Sequence, residues 1–216
     1  MATSKPKPPP PTLVLLVRHG QTPTTGKVLP GRAAGLHLAE QGHEQARAAA
    51  ARIAELPKVD AVYASPLERA RETAAPIAAA TGNKVIIERG LLECDFGEWT
   101  GAELKQLVKR PEWRTIQRYP SGFRFPGGES FTEMQSRIVG AIERLVTRHR
   151  GGVVVAVSHA DPIKVAVAHA MGTHLDLFQR LAINTCSITA IAYADSGPVV
   201  LTVNSTGGSL TQLRPS

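Results

Sequence analysis

The sequence predicts an α/β fold, a three-layer α/β/α sandwich on a mostly parallel mixed sheet, and three observations carry that expectation. Two short runs, Leu13–Val17 and Val153–Val157, are apolar at every position, the mark of strands covered on both faces. Strand-like runs then alternate with helical ones across short connections, as a parallel sheet requires. The last two strand-like runs, Ser187–Ala194 and Val199–Asn204, flank Asp195-Ser196-Gly197-Pro198 and read as a hairpin, which makes the sheet mixed.

The elements follow in order. Met1–Pro11, with Pro6, Pro8, Pro9, Pro10, Pro11, Lys5 and Lys7, reads as a disordered arm, leaving 12–216 as a single domain. After the Leu13 strand a loop containing glycine and proline reaches Gly35. An alanine-rich helix follows over Ala39–Glu55, with an apolar edge at Ala46, Ala49, Ala50 and Ile53. Asp60–Ala64 is a strand. Ser65-Pro66 supplies a cap and a proline for the first helical position, and that helix runs to Thr81. Gly82-Asn83 ends it, and Lys84–Glu88 is a further strand. The path of Glu103–Phe125 is not legible. Ser130 and Glu133 form a capping box for a long helix with an apolar stripe at Phe131, Met134, Ile138, Ile142 and Leu145. Gly151-Gly152 returns the chain to the Val153 strand, and Asp161-Pro162 opens the last helix, with Asp161 read as its cap.

With 216 residues and 43% hydrophobic content, the chain can bury one core. Cys94 and Cys186 alone give no disulfide framework, and the first apolar run is too short for a signal peptide. No stretch reaches the ~20 apolar residues that span a bilayer, so a cytoplasmic setting without membrane contact is expected. The net charge of +7 is concentrated: Lys105, Lys109, Arg110, Arg114, Arg118 and Arg124 face only Glu112 over 105–124, leaving +2 elsewhere. Such a segment is either a solvated basic face or a wall that attracts anions. Trp113, Tyr119 and Phe123 lie within it and Phe125 directly follows, so a stacking platform for nucleic acid stays open on this segment alone.

The chemistry lies at two strand ends. Arg18-His19-Gly20-Gln21-Thr22 follows the first strand and Ser158-His159 follows the Val153 strand, where open α/β sheets bind ligands. A histidine nitrogen attacks phosphorus to give a phosphohistidine, and a forked guanidinium suits phosphoryl oxygens. On that reading His19 is the nucleophile, Arg18 holds phosphate, the loop amides around Gly20 add donors, and His159, if held protonated by the neighbouring phosphate, stabilises the transition state. The other histidines, His37, His43, His149, His169 and His174, show no metal-ligand spacing.

Five segments resemble the histidine phosphatase superfamily, the phosphoglycerate mutase-like proteins, over Leu13 to about Asn204. They are Leu16–Thr22, Ser65–Ala74, Leu91–Gly101, Pro126–Ser130 and Val157–His159, in that order and spacing. The resemblance implies a phosphoglycerate mutase-like fold and a nucleophilic His19. It also implies Arg18, Arg69 and His159 as phosphate ligands, Glu93 as the proton donor, and neither metal nor cofactor. Gln21 and Thr22 join the expected substrate contacts; Thr22 either donates to phosphate or braces its loop. Arg71, two residues beyond Arg69 and so turned away from it on a helix, is expected at the surface. Asp161 is the rival acid, although Ala160 occupies the place directly after the second histidine where the acid-phosphatase branch keeps its donor.

The expected activity is a metal-independent phosphatase acting on a small phosphorylated substrate. A 2,3-bisphosphoglycerate-dependent mutase is the alternative within the family. Against it, the mutases carry Glu-Arg-His-Tyr-Gly where this chain has Glu93-Cys94-Asp95-Phe96-Gly97, and an asparagine where it has Thr25. A non-catalytic phosphate- or nucleic-acid-binding protein is the other alternative, with no nucleic acid expected. Oligomeric state is left open, a homodimer included.

Overall fold

A computed structural model describes residues 10–213. Of the expected disordered arm, residues 1–9 lie outside the described residues. Six strands form one sheet: β1 (Thr12–Arg18), β2 (Ala61–Ala64), β3 (Val85–Ile87), β4 (Val153–Ser158), β5 (Ile188–Ala194) and β6 (Gly197–Ser205). Their order is β3-β2-β4-β1-β5-β6, with β3, β2, β4 and β1 mutually parallel and β5 and β6 joined on by antiparallel pairing. The mixed sheet and the terminal hairpin are those the sequence predicts.

The period of two in a strand sorts β1 between two cores. Leu13, Leu15 and Val17 face α1 (Glu40–Ile53) and α2 (Glu68–Ala80), meeting Ala50, Ile53, Ala74 and Ile77. Val14 and Leu16 belong to the other core, with Met134, Ile138 and Ile142. Those residues come from the long helix over Phe131–Arg148, and Val165 and Ala166 of the helix over Ala160–Ala170 pack there too. Helices on both faces of the sheet make the three layers. The capping box of the long helix is formed as expected, with Glu133 N–H donating to Ser130 Oγ at 3.2 Å and Ser130 N–H to Glu133 Oε2 at 2.9 Å.

Two capping expectations are corrected. α2 begins at Glu68 with Leu67 at its N-cap, so Ser65 lies two residues before the cap position, and its hydroxyl is 2.8 Å from His159 Nε2. The last helix takes His159 as its N-cap, so Asp161 lies inside the first turn and its carboxylate meets Lys164 Nζ at 3.4 Å.

The basic segment folds as α3 (Leu104–Leu107) and α4 (Pro111–Arg118), making the two helices above α5 (Phe131–Arg148) and α6 (Ala160–Ala170) in chain order. Leu107 and Ile116 are buried in the larger core, and Trp113 packs against it. Arg110, Arg114 and Arg118, one helical turn apart, are exposed. Arg124 is ion-paired with Glu133, so its charge is spent on the start of α5.

Candidate active site

The site is assembled by strand register. β1 and β4 run side by side with Arg18 opposite Ser158, so the first residue past each strand is a histidine. His19 N–H donates to Ser158 O at 2.9 Å, and the two imidazole rings lie 5.2 Å apart, both buried. His19 Nδ1 is 2.8 Å from Gly20 O, which only accepts, so Nδ1 carries the hydrogen and Nε2 keeps its lone pair. Burial, then Arg69 and Arg18, push His19 down to about 3, so it is a neutral nucleophile across the physiological range.

Two guanidiniums act on both histidines. Arg18 Nη1 donates to Ile183 O at 2.7 Å, and Arg69 Nη2 to Gly31 O at 2.8 Å. Arg18 Nε, Arg69 Nε, Arg69 Nη1 and His159 Nδ1 are buried with no partner among the described residues. Arg69 is wholly buried from the first turn of α2, while Arg71 is exposed, as its spacing predicts. An unpaired buried donor costs about 1–3 kcal/mol, more when charged. Four such nitrogens in one place therefore fit a tetrahedral oxyanion, which offers acceptors on every side.

Glu93 is 7% exposed, and its Oε1 accepts from Cys94 N–H at 2.9 Å. Burial, followed by the nearby Asp161 carboxylate, raises it to about 7 against the pull of Arg69 and Arg18. A carboxyl with that value holds a proton close to neutrality and can release it to a leaving group. Asp161, the rival acid, is engaged with Lys164.

The expected donation by loop amides is corrected. Gly20 N–H goes to Thr73 Oγ1 at 2.9 Å, Gln21 N–H to Gln45 Oε1 at 3.0 Å, and Thr22 N–H to Thr25 Oγ1 at 2.8 Å. These bonds build the loop and leave no amide of the three for a ligand. Thr22 Oγ1 lies 3.0 Å from Thr25 Oγ1, which favours its bracing role; Gln21 is half-buried. The loop also presses on α1 at Gly42, where a Cβ would stand 2.1 Å from Gln21 O. Gly42→Ala is therefore expected to cost about 1–3 kcal/mol and to slow turnover by shifting His19, read by thermal melting beside activity. An unchanged melt and rate would show that the loop has room to move.

Several residues escaped the sequence reading. Arg32 Nε donates to Glu93 O at 2.9 Å, and Arg137 donates to Gly90 O, Leu92 O and Glu93 O at 2.9, 2.8 and 3.3 Å. Glu129 joins the two, at 2.9 Å from Arg32 Nη2 and 2.6 Å from Arg137 Nη2. Ser158 Oγ adds a bond to Leu91 O at 2.8 Å. The Glu93 loop is thus clamped through its carbonyls. Glu129 stood within the quoted Pro126–Ser130 segment, but Arg32 and Arg137 carried no local signal. Glu129→Gln is expected to lower stability by about 1–3 kcal/mol and to slow alkyl phosphates more than aryl ones. Melting and paired rates check it; equal slowing of both substrates would place the effect elsewhere.

Of the aromatics in and beside the basic segment, Phe125 is buried and Trp113 and Phe123 are packed on the core, leaving Tyr119 exposed at 58%. Among the described residues, no group of three His, Cys, Asp or Glu side chains has metal-holding geometry, and no helix is long and apolar enough to cross a membrane.

A family model described as the histidine phosphatase superfamily, branch 1, matches residues 14–206. A bifunctional protein of Mycobacterium tuberculosis is 35% identical over 205 residues, covering 91% of this chain and 55% of that one. The chain thus spans about half the length of that curated relative. Phosphoserine phosphatase 1 of Hydrogenobacter thermophilus is 31% identical over 198 residues, covering 89% of this chain and 92% of the other. Among solved structures, a phosphoserine phosphatase mutant from Entamoeba histolytica, in complex with phosphoserine, superposes with a TM-score of 0.82 at 26% identity. That match covers 90% of this chain and 98% of that one.

Proposed function

This chain belongs to the histidine phosphatase superfamily, branch 1, and we propose that within it the protein is a metal-independent phosphatase of small phosphate monoesters. The observation that carries the reading is the neutral His19 beside four buried nitrogens of Arg18, Arg69 and His159 that have no hydrogen-bond partner among the described residues. His19 Nε2 attacks phosphorus while Arg18, Arg69 and His159 hold the non-bridging oxygens. Glu93 gives its proton to the departing alkoxide, leaving a phosphohistidine and a free alcohol. The Glu93 carboxylate then takes a proton from water, whose oxygen displaces His19 and yields inorganic phosphate.

Cys94 supports hydrolysis over mutase chemistry. It is wholly buried in the larger apolar core, where the mutases' arginine has no counterpart. The relatives named as phosphoserine phosphatases make phosphoserine the first compound for a substrate screen. The test is release of phosphate from an aryl phosphate in the presence of a chelator, with rapid-quench trapping of a labelled enzyme. An acid-labile label supports the reading, and a label that survives acid, as on a serine ester, overturns it.

A small substrate is also favoured over nucleic acid, because three of the four aromatics in and beside the basic segment are turned into the core. Stacking on a single strand needs exposed rings. DNA and RNA binding is expected to be weak at physiological salt. A salt titration showing sub-micromolar affinity there would reverse that assignment.

A further inference from the structure

We infer that Ser65 sets the tautomer of His159 and thereby makes the neutral ring a hydrogen-bond donor to the phosphoryl group, an inference that rests on the phosphatase reading above.

Ser65 is the first residue past β2, which lies beside β4 in the sheet. Its backbone N–H donates to Val157 O at 2.9 Å, which fixes it next to the end of β4. Its hydroxyl is 2.8 Å from His159 Nε2, and both residues are fully buried. Leu67 N–H reaches Ser65 Oγ at 3.5 Å and uses one acceptor position. No bond other than that to His159 is available to the hydroxyl hydrogen among the described residues, so the O–H points at Nε2. Nε2 is then the acceptor, and the ring hydrogen sits on Nδ1. The reverse arrangement, with Nε2–H donating to Ser65, would leave a buried hydroxyl hydrogen unpaired.

His159 Nδ1 is buried without a partner among the described residues, as are Arg18 Nε and two nitrogens of Arg69, the arginines whose charges act on this ring. As an N–H it completes a set made wholly of donors. As a bare lone pair it would repel an oxyanion. In the free site His159 is neutral: burial first, then Arg69 and His19, hold it well below the usual imidazole value. The device therefore supplies a donor without a third buried charge. Ser65 acts through His159 and is a positioning residue.

The test is the nitrogen-15 spectrum of histidine-labelled whole chain, with His159 assigned from the His159→Gln variant. In the wild type, Nδ1 is expected to be protonated and Nε2 bare. Ser65→Ala is expected to lose that preference and to lower kcat about 10- to 100-fold, the range seen for outer partners of metal-bound histidines. Alkyl and aryl phosphates should be slowed alike, because the donor acts on the phosphoryl group. Ser65→Thr, which keeps the hydroxyl, should keep the tautomer. An imidazolium or an Nε2–H ring in the wild type overturns the inference, even if Ser65→Ala fails to fold. So does an unchanged tautomer in a folded Ser65→Ala. A wild type that releases no phosphate overturns the phosphatase reading instead, a result separate from the spectrum.

Discussion

His19→Ala is expected to abolish phosphate release, a loss of at least ~10⁴-fold, because no neighbouring group replaces the attacking nitrogen. His19 Nδ1 is committed to Gly20 O and its Nε2 is free, while His159, 5.2 Å away, has Nε2 committed to Ser65. The second ring therefore has no lone pair facing the same point. The variant is expected to fold, since the only side-chain bond lost among the described residues is a local one to the next residue. It should also keep its affinity for inorganic phosphate, because Arg18, Arg69 and His159 remain. The measurement pairs rapid-quench labelling with phosphate binding by calorimetry. Trapped label in His19→Ala would falsify the assignment of the nucleophile. Loss of phosphate binding as well as label would mean that the variant has lost the site and not the nucleophile alone.

The sequence made legible whatever rests on local pattern. Five-residue apolar runs, the apolar stripe of the long helix and the Ser130–Glu133 box each leave their signature within one element. The two histidines were found because each stands one residue past such a run, and adjacency of β1 and β4 brings them together. Arg69 and Glu93 carry no such signal; they were reached through resemblance alone, and their burial gives them physical reasons afterwards. Ser65 was misread because a serine before a proline has a strong local use as a cap, while its actual partner is 94 positions away. Arg32 and Arg137 were invisible for the same reason. Their carboxylate partner Glu129 lies outside the range of local pairing in sequence, and their bonds to the main chain of the Glu93 loop go to carbonyls, which exist at every residue and mark no position in a sequence.

The loop amides teach a complementary lesson. Glycine after a nucleophile suggests backbone donors aimed at an anion, but Gly20 is required here by packing. A Cβ on Gly20 would meet Gly42 O at 2.6 Å. The donors come instead from long cationic side chains anchored at one nitrogen each, on Ile183 O and Gly31 O. Anchoring one arm of the guanidinium fixes the other nitrogens before any ligand arrives, so little ordering is left to be done in the transition state.

Glu93→Gln is expected to slow alkyl phosphates by about 10²–10⁴-fold and aryl phosphates with good leaving groups by far less. An alkoxide needs a proton as the bond to phosphorus breaks; a nitrophenolate hardly does. The same acid sets the pH dependence. Glu93 is raised to about 7, so in the free enzyme it is mostly protonated below that pH and mostly ionised above it. For an alkyl phosphate, kcat/KM should therefore fall as pH rises through about 7. A bound phosphate beside Glu93 adds negative charge and moves the limb in kcat to higher pH. In Glu93→Gln that basic limb should vanish, leaving a low, flat profile. Asp161→Asn removes the charge that, after burial, does most to raise Glu93, so its basic limb should move to lower pH while the rate at acidic pH is kept. Should Asp161→Asn show the leaving-group signature while Glu93→Gln does not, the proton donor is Asp161, and the clamp of Arg32, Arg137 and Glu129 holds a residue with no part in the chemistry.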